Sequence, residues 1–393
     1  MQPATFDKFG LICWLVITVF IGINGLFVNS DDLSEFVLWA FALPVTFLVW
    51  GNKPEQLFQG VAKGICWAFV PYFLICMVFF PITGAKYAGI WLNTNTAAMF
   101  LTAVCVCIFI ELLVSPKILP IILYCLELGA AASLIFYTNS RGGLIATGIS
   151  AVVTLILFLL REKNRKTVLL KIVCAALAIL VMLSATVYIS TAVSQIKQSI
   201  ANKTTEVTES LQKPSKIPAA HAASNQEKNQ MILNNIESIQ KDRFSQDYST
   251  LASFSTGRVT LWKAYASALG WLGHSAAEQV FDANGNLVTR SSHWTQLQFA
   301  YQYGILAGVF FLLLNIWSGC KAVWYVLKGK NPYRYFSIAV IVAYGVYSLI
   351  EANITTFGRL IIILYFFALS PLLVRQPKAS ADIYLHTAEK SEV

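Results

Sequence analysis

The chain reads as long apolar blocks separated by short polar joints. The blocks run to about 17–25 residues, the length a helix needs to cross a hydrocarbon layer of ~30 Å. Ten segments of this kind are predicted, at 11–28, 35–50, 57–81, 98–114, 119–137, 143–160, 168–190, 304–327, 335–351 and 360–374. The N-terminal MQPATFDKFG has no basic region and another span follows the first at once, so the pattern predicts a retained helix rather than a secretory leader. One polar stretch, 191–303, is too long for a connector, and long loops without structure are uncommon unless functional. Within it, 195–209 and 225–244 read as polar helices on either side of a Pro/Ala-rich hinge, KPSKIPAAHAAS. From Ser255 the apolar spacing Val259, Trp262, Tyr265, Ala266, Leu269 predicts a further helix, N-capped by Ser255 or Thr256. That helix is expected to lie along the membrane surface with its aromatics among the headgroups. The expected organisation is seven spans in 1–190, an outer loop in 191–303, three spans in 304–374 and a tail in 375–393: an all-α integral membrane protein of about ten transmembrane helices.

Composition supports the membrane assignment. Of 393 residues, 56% are hydrophobic and 12% charged, with a mean hydropathy of +0.62; a soluble chain of this length would carry a far more charged surface. The net charge of +9 could point to nucleic acid, but the basic residues gather in short loops between spans. Arg161, Lys163, Arg165 and Lys166 form one such loop, and Lys328, Lys330 and Arg334 another. Both are expected to be cytoplasmic, which is the positive-inside pattern and excludes a polynucleotide partner. Alternation then places both termini inside, and the loop of Asp31, Asp32 and Glu35 outside together with 191–303. All eight cysteines lie in apolar blocks with no CxxC pair, so neither a disulfide framework nor a metal site is expected from them.

Three motifs fall on the outer side of this topology. Y-T-N-S-R-G-G-L at 137–144 puts Arg141 at the mouth of a span, followed by glycines that let a ligand approach the backbone. S-T-G-R at 255–258 puts Arg258 at the start of the interfacial helix, where a cation is mildly unfavourable. S-S-H-W-T-Q-L-Q-F-A-Y-Q-Y-G at 291–304 puts His293 about three turns before a span opened by Gly304. Two guanidinium groups can grip phosphate oxygens in pairs without a metal, and a histidine can take a hydroxyl proton near neutral pH. The plainer readings are an interfacial anchor for Arg141, a solvated residue for Arg258 and a packed imidazole for His293. His221 and His386 read as exposed bystanders, and His274, in W-L-G-H-S, stands between. Asp31 and Asp32 read more simply as a solvated acidic loop than as a metal-binding or basic pair. The sequons at Asn202 and Asn353 read as accidental, and Arg359 is an extra candidate for a phosphate contact.

R-G-G-L after the span E-L-G-A-A-A-S-L-I-F-Y-T-N-S, then G-R-V-T-L-W-K-A-Y, then L-G-H-S, then a histidine eleven residues before a span-opening glycine, together resemble the bacterial O-antigen ligase and O-antigen polymerase superfamily. K-Y-A-G-I-W-L-N-T-N-T at 86–96 is similar to the family's earlier outward loop, with Lys86 in place of arginine and Gly89, Asn93 and Asn95 retained. The resemblance runs over about residues 85 to 305. It implies a GT-C-like membrane fold and transfer of a glycan from undecaprenyl diphosphate to a sugar hydroxyl, without metal or cofactor, at the outer face of the bacterial inner membrane. The acceptor it implies is lipid A core, a second lipid-linked repeat unit or a glycoprotein. Arg141 and Arg258 would then hold the diphosphate and His293 would activate the acceptor. Two departures stand out: Trp294 follows the histidine where the family commonly has asparagine, and A-Y-Q-Y-G lacks an acid before the glycine. Trp294 could stack on a sugar or anchor the interface. The competing reading is a flippase for lipid-linked glycans. It would favour broken helices and buried charge at mid-membrane, whereas these spans are nearly free of charge at their centres apart from Glu111 and Glu127.

Overall fold

A computed structural model describes residues 5–51, 53–82, 86–162, 164–211, 258–275, 278–282, 285, 287–288, 291–352 and 358–375. In chain order they form strand β1 (Thr5–Phe6), helices α1 (Lys8–Phe27), α2 (Ser30–Trp50), α3 (Pro54–Phe79), α4 (Thr94–Val114), α5 (Ile118–Tyr137), α6 (Arg141–Arg161), α7 (Arg165–Leu211) and α8 (Arg258–Ser267), strands β2 (Val280–Phe281) and β3 (Leu287–Val288), helices α9 (Thr295–Tyr303), α10 (Ile305–Lys328), α11 (Tyr335–Ser348) and α12 (Leu360–Leu373), and strand β4 (Val374–Arg375). The protein is an all-α integral membrane protein. Among the described residues eight helices, α1 to α7 and α10, are long and apolar enough to cross a membrane. The hinge, the 225–244 segment, the caps Ser255 and Thr256, the histidines His221 and His386, and the tail beyond Arg375 lie outside the described residues.

The last two expected spans appear as α11 and α12, each of 14 residues. That is a rise of about 21 Å, short of a ~30 Å hydrocarbon layer. α11 closes on a tightened turn, where the Leu349 N–H reaches the Val346 carbonyl at 3.3 Å and the Ile350 N–H the Tyr347 carbonyl at 2.9 Å. α12 carries Pro371 in its last turn and then leaves as an extended strand. β4 pairs antiparallel with β1, Phe6 opposite Val374, a two-strand contact the apolar pattern gave no sign of. The separate polar helix expected at 195–209 is the continuation of α7, a single helix of 47 residues and about 70 Å.

The described residues form two compact units. The first comprises Met1–Val61, Gly148–Lys163 and Ser255–Val393. In it α1 packs along α10, α9 folds back onto α10, and α11 and α12 pack on each other. Its centre is aromatic. Trp14 stacks on Trp39 at 4.3 Å, Phe366 meets both edge-on, and Trp39 reaches Phe299 of α9 and Phe311 of α10. Phe299 and Phe311 stack in turn at 4.5 Å, so the core that joins the spans also fixes α9. The two ends of this unit differ in charge. At one end Lys321 pairs with Asp7 and Arg334 with Glu55, each at 2.7 Å, and Arg161 donates to the Val326 carbonyl. At the other end of α1, Asn24 donates to the carbonyls of Leu272 and Gln302, at 3.1 and 2.8 Å, and ties down the α9 region.

The second unit comprises Ala62–Thr147 and Asn164–Phe254. α5 packs between α4 and α7. Gly129 allows the close crossing, since a Cβ there would lie 2.7 Å from the Ala178 carbonyl oxygen. Lys171 is buried and donates to the carbonyls of Leu113 and Ser115, at 2.8 and 2.7 Å, which satisfies the open end of α4. All eight cysteines are free thiols, six of them buried.

Gly304 joins α9 to α10 with φ +101°, and a Cβ there would run into the Trp271 carbonyl oxygen. Gly304→Ala is therefore expected to destabilise the first unit by on the order of 1–3 kcal/mol, read as a lower thermal midpoint in detergent. An unchanged midpoint would mean that the joint relaxes freely.

Candidate active site

His293 precedes α9 in a turn built by its neighbours. The Ser292 N–H donates to Gln298 Oε1 at 2.9 Å, and the Ser292 hydroxyl bonds the Trp294 carbonyl at 3.0 Å and receives the Trp294 N–H at 3.3 Å. These bonds hold His293 at φ +51°, left-handed backbone that a non-glycine residue adopts at a cost of about 1 kcal/mol or more. Among the described residues one other non-glycine residue has positive φ. It is Asn139, two residues before Arg141. Backbone strain thus falls at two of the three sequence motifs.

The partner of His293 is a residue that the sequence reading treated as the end of a span. Glu351 lies just past α11 and is buried. One carboxylate oxygen takes His293 Nδ1 at 2.9 Å and the other takes Arg258 Nη2 at 3.1 Å. The Thr295 hydroxyl donates to the Glu351 carbonyl at 2.6 Å, so the start of α9 and the end of α11 are joined through backbone as well as side chain. Gln296 to Ser348, at 2.8 Å, repeats the link one turn lower. A buried carboxylate is stable only when compensated, and here two basic groups compensate it. Because the carboxylate accepts from Nδ1–H, the Nε2 lone pair is left to act as a base. Arg258 commits one N–H of its five and is about a quarter exposed, as is His293. The structure thus brings two of the three motif residues together through a third that was missed. The available signal was a lone acid closing an apolar block, Y-S-L-I-E-A-N, on the expected outer side.

α8 does not lay its apolar side into headgroups as expected. Tyr265 and Ala264 are buried against Leu297, Tyr301 and Val280, with Trp262 and Leu269 alongside. Tyr265 meets Tyr301 edge-on at 5.0 Å and Trp262 meets Trp294 at 5.6 Å. Trp294 is therefore a packing residue that helps fix Arg258 relative to His293. The strands β2 and β3 pair beside this core as a hairpin, where an all-helical cap was expected. The text V-F-D-A-N-G-N-L-V carries the Asn-Gly turn that signals it.

His274 sits apart from His293. Its ring stacks on Tyr301 at 4.4 Å and 12°, and its Nδ1 bonds Glu278. That bond, helped by the Ser275 N–H, holds the Glu278 carboxyl below its ordinary range against a smaller opposing effect of burial. Gly273 has φ +81° and lies so close to the Gln302 carbonyl that no side chain fits, which places His274. Asp32 is buried and receives Gln302 Nε2 at 2.8 Å and Asn29 Nδ2 at 2.9 Å, so it braces the end of α9. Arg359 is exposed and bonds the neighbouring Gly358 carbonyl.

Arg141, Lys86, Asn93 and Asn95 belong to the second unit. Arg141 opens α6 after a turn in which the Thr138 hydroxyl receives the Ser140 N–H and the Ser140 hydroxyl receives the Gly143 N–H. The Tyr87 N–H bonds the Tyr137 carbonyl at 2.9 Å, drawing the Lys86 loop to that turn. Asn93 caps α4, its Oδ1 accepting the Asn95 N–H at 2.8 Å. That accounts for an asparagine at 93 by local structure alone.

Residues 126–312 match the family model described as O-antigen ligase, so this segment is similar to that family. The match holds Arg141, Arg258, His274 and His293; it excludes the Lys86 loop and Glu351. Comparison with curated proteins finds no match. Glu351→Ala would leave Arg258 and His293 without their shared carboxylate and open the α9–α11 contact. The expected loss is about 2–4 kcal/mol of stability, measured by thermal unfolding, whereas a change below about 0.5 kcal/mol would show the pairing to be peripheral.

Proposed function

We propose, with the O-antigen ligase segment as premise, that this multi-pass membrane glycosyltransferase moves a glycan from undecaprenyl diphosphate to an acceptor sugar hydroxyl at the outer face of the bacterial inner membrane. The observation that carries the reading is the His293–Glu351–Arg258 group: a base held by a buried carboxylate, beside a guanidinium with donors to spare. The acceptor hydroxyl oxygen attacks the anomeric carbon of the donor sugar, and its proton passes to His293 Nε2. The bond from that carbon to the phosphate oxygen breaks, and its electron pair leaves with undecaprenyl diphosphate. Arg258 offsets the charge that develops on the leaving oxygen, and Arg141, on the strength of the family resemblance, takes a second phosphate contact. The chemistry so described draws on fixed guanidinium charge and needs no metal or cofactor.

The outward orientation is supported by charge. Within the first unit the basic residues Arg161 and Arg334 gather at the end of α10 near Val326, while Gly304 opens its other end and joins it to α9, the helix that His293 precedes. The positive-inside rule makes the basic end cytoplasmic. β1 pairs with β4, which sets residues 5–6 beside 374–375, in keeping with an even number of crossings between them. The acceptor is lipid A core for a ligase, a second lipid-linked repeat for a polymerase, or a protein-borne sugar. Deletion of the gene distinguishes them: single repeats on the surface indicate a lost polymerase, and full chains stranded on undecaprenyl diphosphate a lost ligase.

Arg258→Ala and Arg141→Ala are each expected to lower transfer by about 10²-fold or more, and His293→Ala by about 10²–10⁴-fold, with membrane insertion intact. Electrophoresis of surface glycans from complemented deletion strains reads the result. Near-normal glycan with Arg258→Ala or His293→Ala would remove that residue from the chemistry.

A further inference from the structure

A concavity in the first unit lies beside the His293 turn and differs from it in chemistry. It is a cleft of about 480 Å³ between α8, the β2–β3 hairpin and α9. Its walls include Tyr265, His274, Glu278, Gln279, Gln298 and Tyr301, and no lysine or arginine stands among the described residues that line it. Among those described residues phosphate would find no lysine or arginine. An uncharged sugar ring would find the partly exposed His274 imidazole, backed by Tyr301, for its C–H groups, and amides and a carboxylate for its hydroxyls. Glu278, with its carboxyl held low by His274, stays ionised as an acceptor for hydroxyl groups through the neutral range. The cleft is also wired to the base. Gln298 lines it and at the same time accepts the Ser292 N–H in the turn that holds His293 in its left-handed conformation.

We propose that this cleft binds an uncharged sugar of the acceptor glycan, so that charged donor and neutral acceptor meet the two sides of the His293 turn. The inference rests on the glycosyltransferase reading and adds an acceptor subsite to it. The division has a physical basis. The Arg258 side offers guanidinium donors for a diphosphate, whereas the cleft offers a mixed donor and acceptor surface beside a fixed negative charge, which disfavours one.

The test is binding, so it stands apart from whether Arg258 and His293 carry the chemistry. Two probes come from the producing strain. One is the complete surface glycan released from its lipid, which holds donor and acceptor sugars joined. The other is the donor glycan alone, released by mild acid from undecaprenyl diphosphate in a deletion strain. Saturation-transfer NMR on the full chain in detergent compares wild type with Val288→Trp, which fills the cleft from β3, and with Gln279→Ala, which removes an exposed amide from its rim and leaves the core untouched. The complete glycan should bind wild type and lose at least tenfold in affinity in both variants, while affinity for the donor glycan alone is unchanged. Loss of donor-glycan binding in the variants would assign the cleft to the donor instead. Unaltered binding of the complete glycan, or none to the wild type, would overturn the subsite. Full glycan transfer by Arg258→Ala and His293→Ala would sink the chemical reading without touching this result.

Discussion

A single buried carboxylate, Glu351, receives Arg258 on one oxygen and His293 on the other, and most of the local architecture serves to keep it there. Burying that charge is unfavourable unless both basic groups arrive, and they come from segments far apart in sequence. α8 must present Arg258, the turn before α9 must hold His293 at positive φ, and α11 must stop early enough to expose Glu351 at its end. The shortness of α11 is therefore tied to the Arg258–Glu351–His293 group. A helix continued through Glu351 would carry the carboxylate away from Thr295 and from both basic groups.

What holds these segments is packing outside the charged group. Phe299 fastens α9 to the aromatic centre of the spans through Phe311 and Trp39. Tyr265 and Trp262 fasten α8 to α9 through Tyr301 and Trp294. Asn24 and Asp32, from the first two spans, tie the far end of α9 at Gln302 and Leu272. On the proposed reading, His293 is a base whose free nitrogen is aimed from a helix braced at both ends, so that it keeps its aim without reorganising. The neighbouring cleft shares the same brace through Gln298, so occupancy there and the posture of His293 are physically linked.

The spans were legible because twenty apolar residues have few other uses, and the motifs because Arg141, at a span's mouth, and Arg258 and His293, in the long polar stretch, fall on one predicted side. The order of those motifs also carried the family, which the match over 126–312 bears out. Glu351 was not legible as a site residue: one acid at a span's mouth is indistinguishable from an ordinary interfacial charge until its partners, 93 and 58 residues away, are seen. The interfacial posture assigned to α8 failed for a similar reason. An amphipathic helix does not say whether its apolar face meets lipid or protein, and here Leu297 and Tyr301 supplied the protein. The end of α11 was placed three residues late because hydropathy continues past the point where the backbone turns, whereas α12 falls within one residue of its expected bounds. The hairpin was overlooked although its Asn-Gly turn was in plain text, since four strand residues carry little periodicity.

A double-mutant cycle on transfer rate tests whether His293 acts through the carboxylate that holds it. Rates for Glu351→Gln, His293→Ala and the double variant would be compared with wild type in reconstituted membranes. If the base works only when oriented by Glu351, the double variant should be no slower than His293→Ala alone, a coupling that nearly cancels the single Glu351 effect. Losses that simply multiply would mean that Glu351 and His293 act independently, and the constellation at the core of this account would be structural and not catalytic.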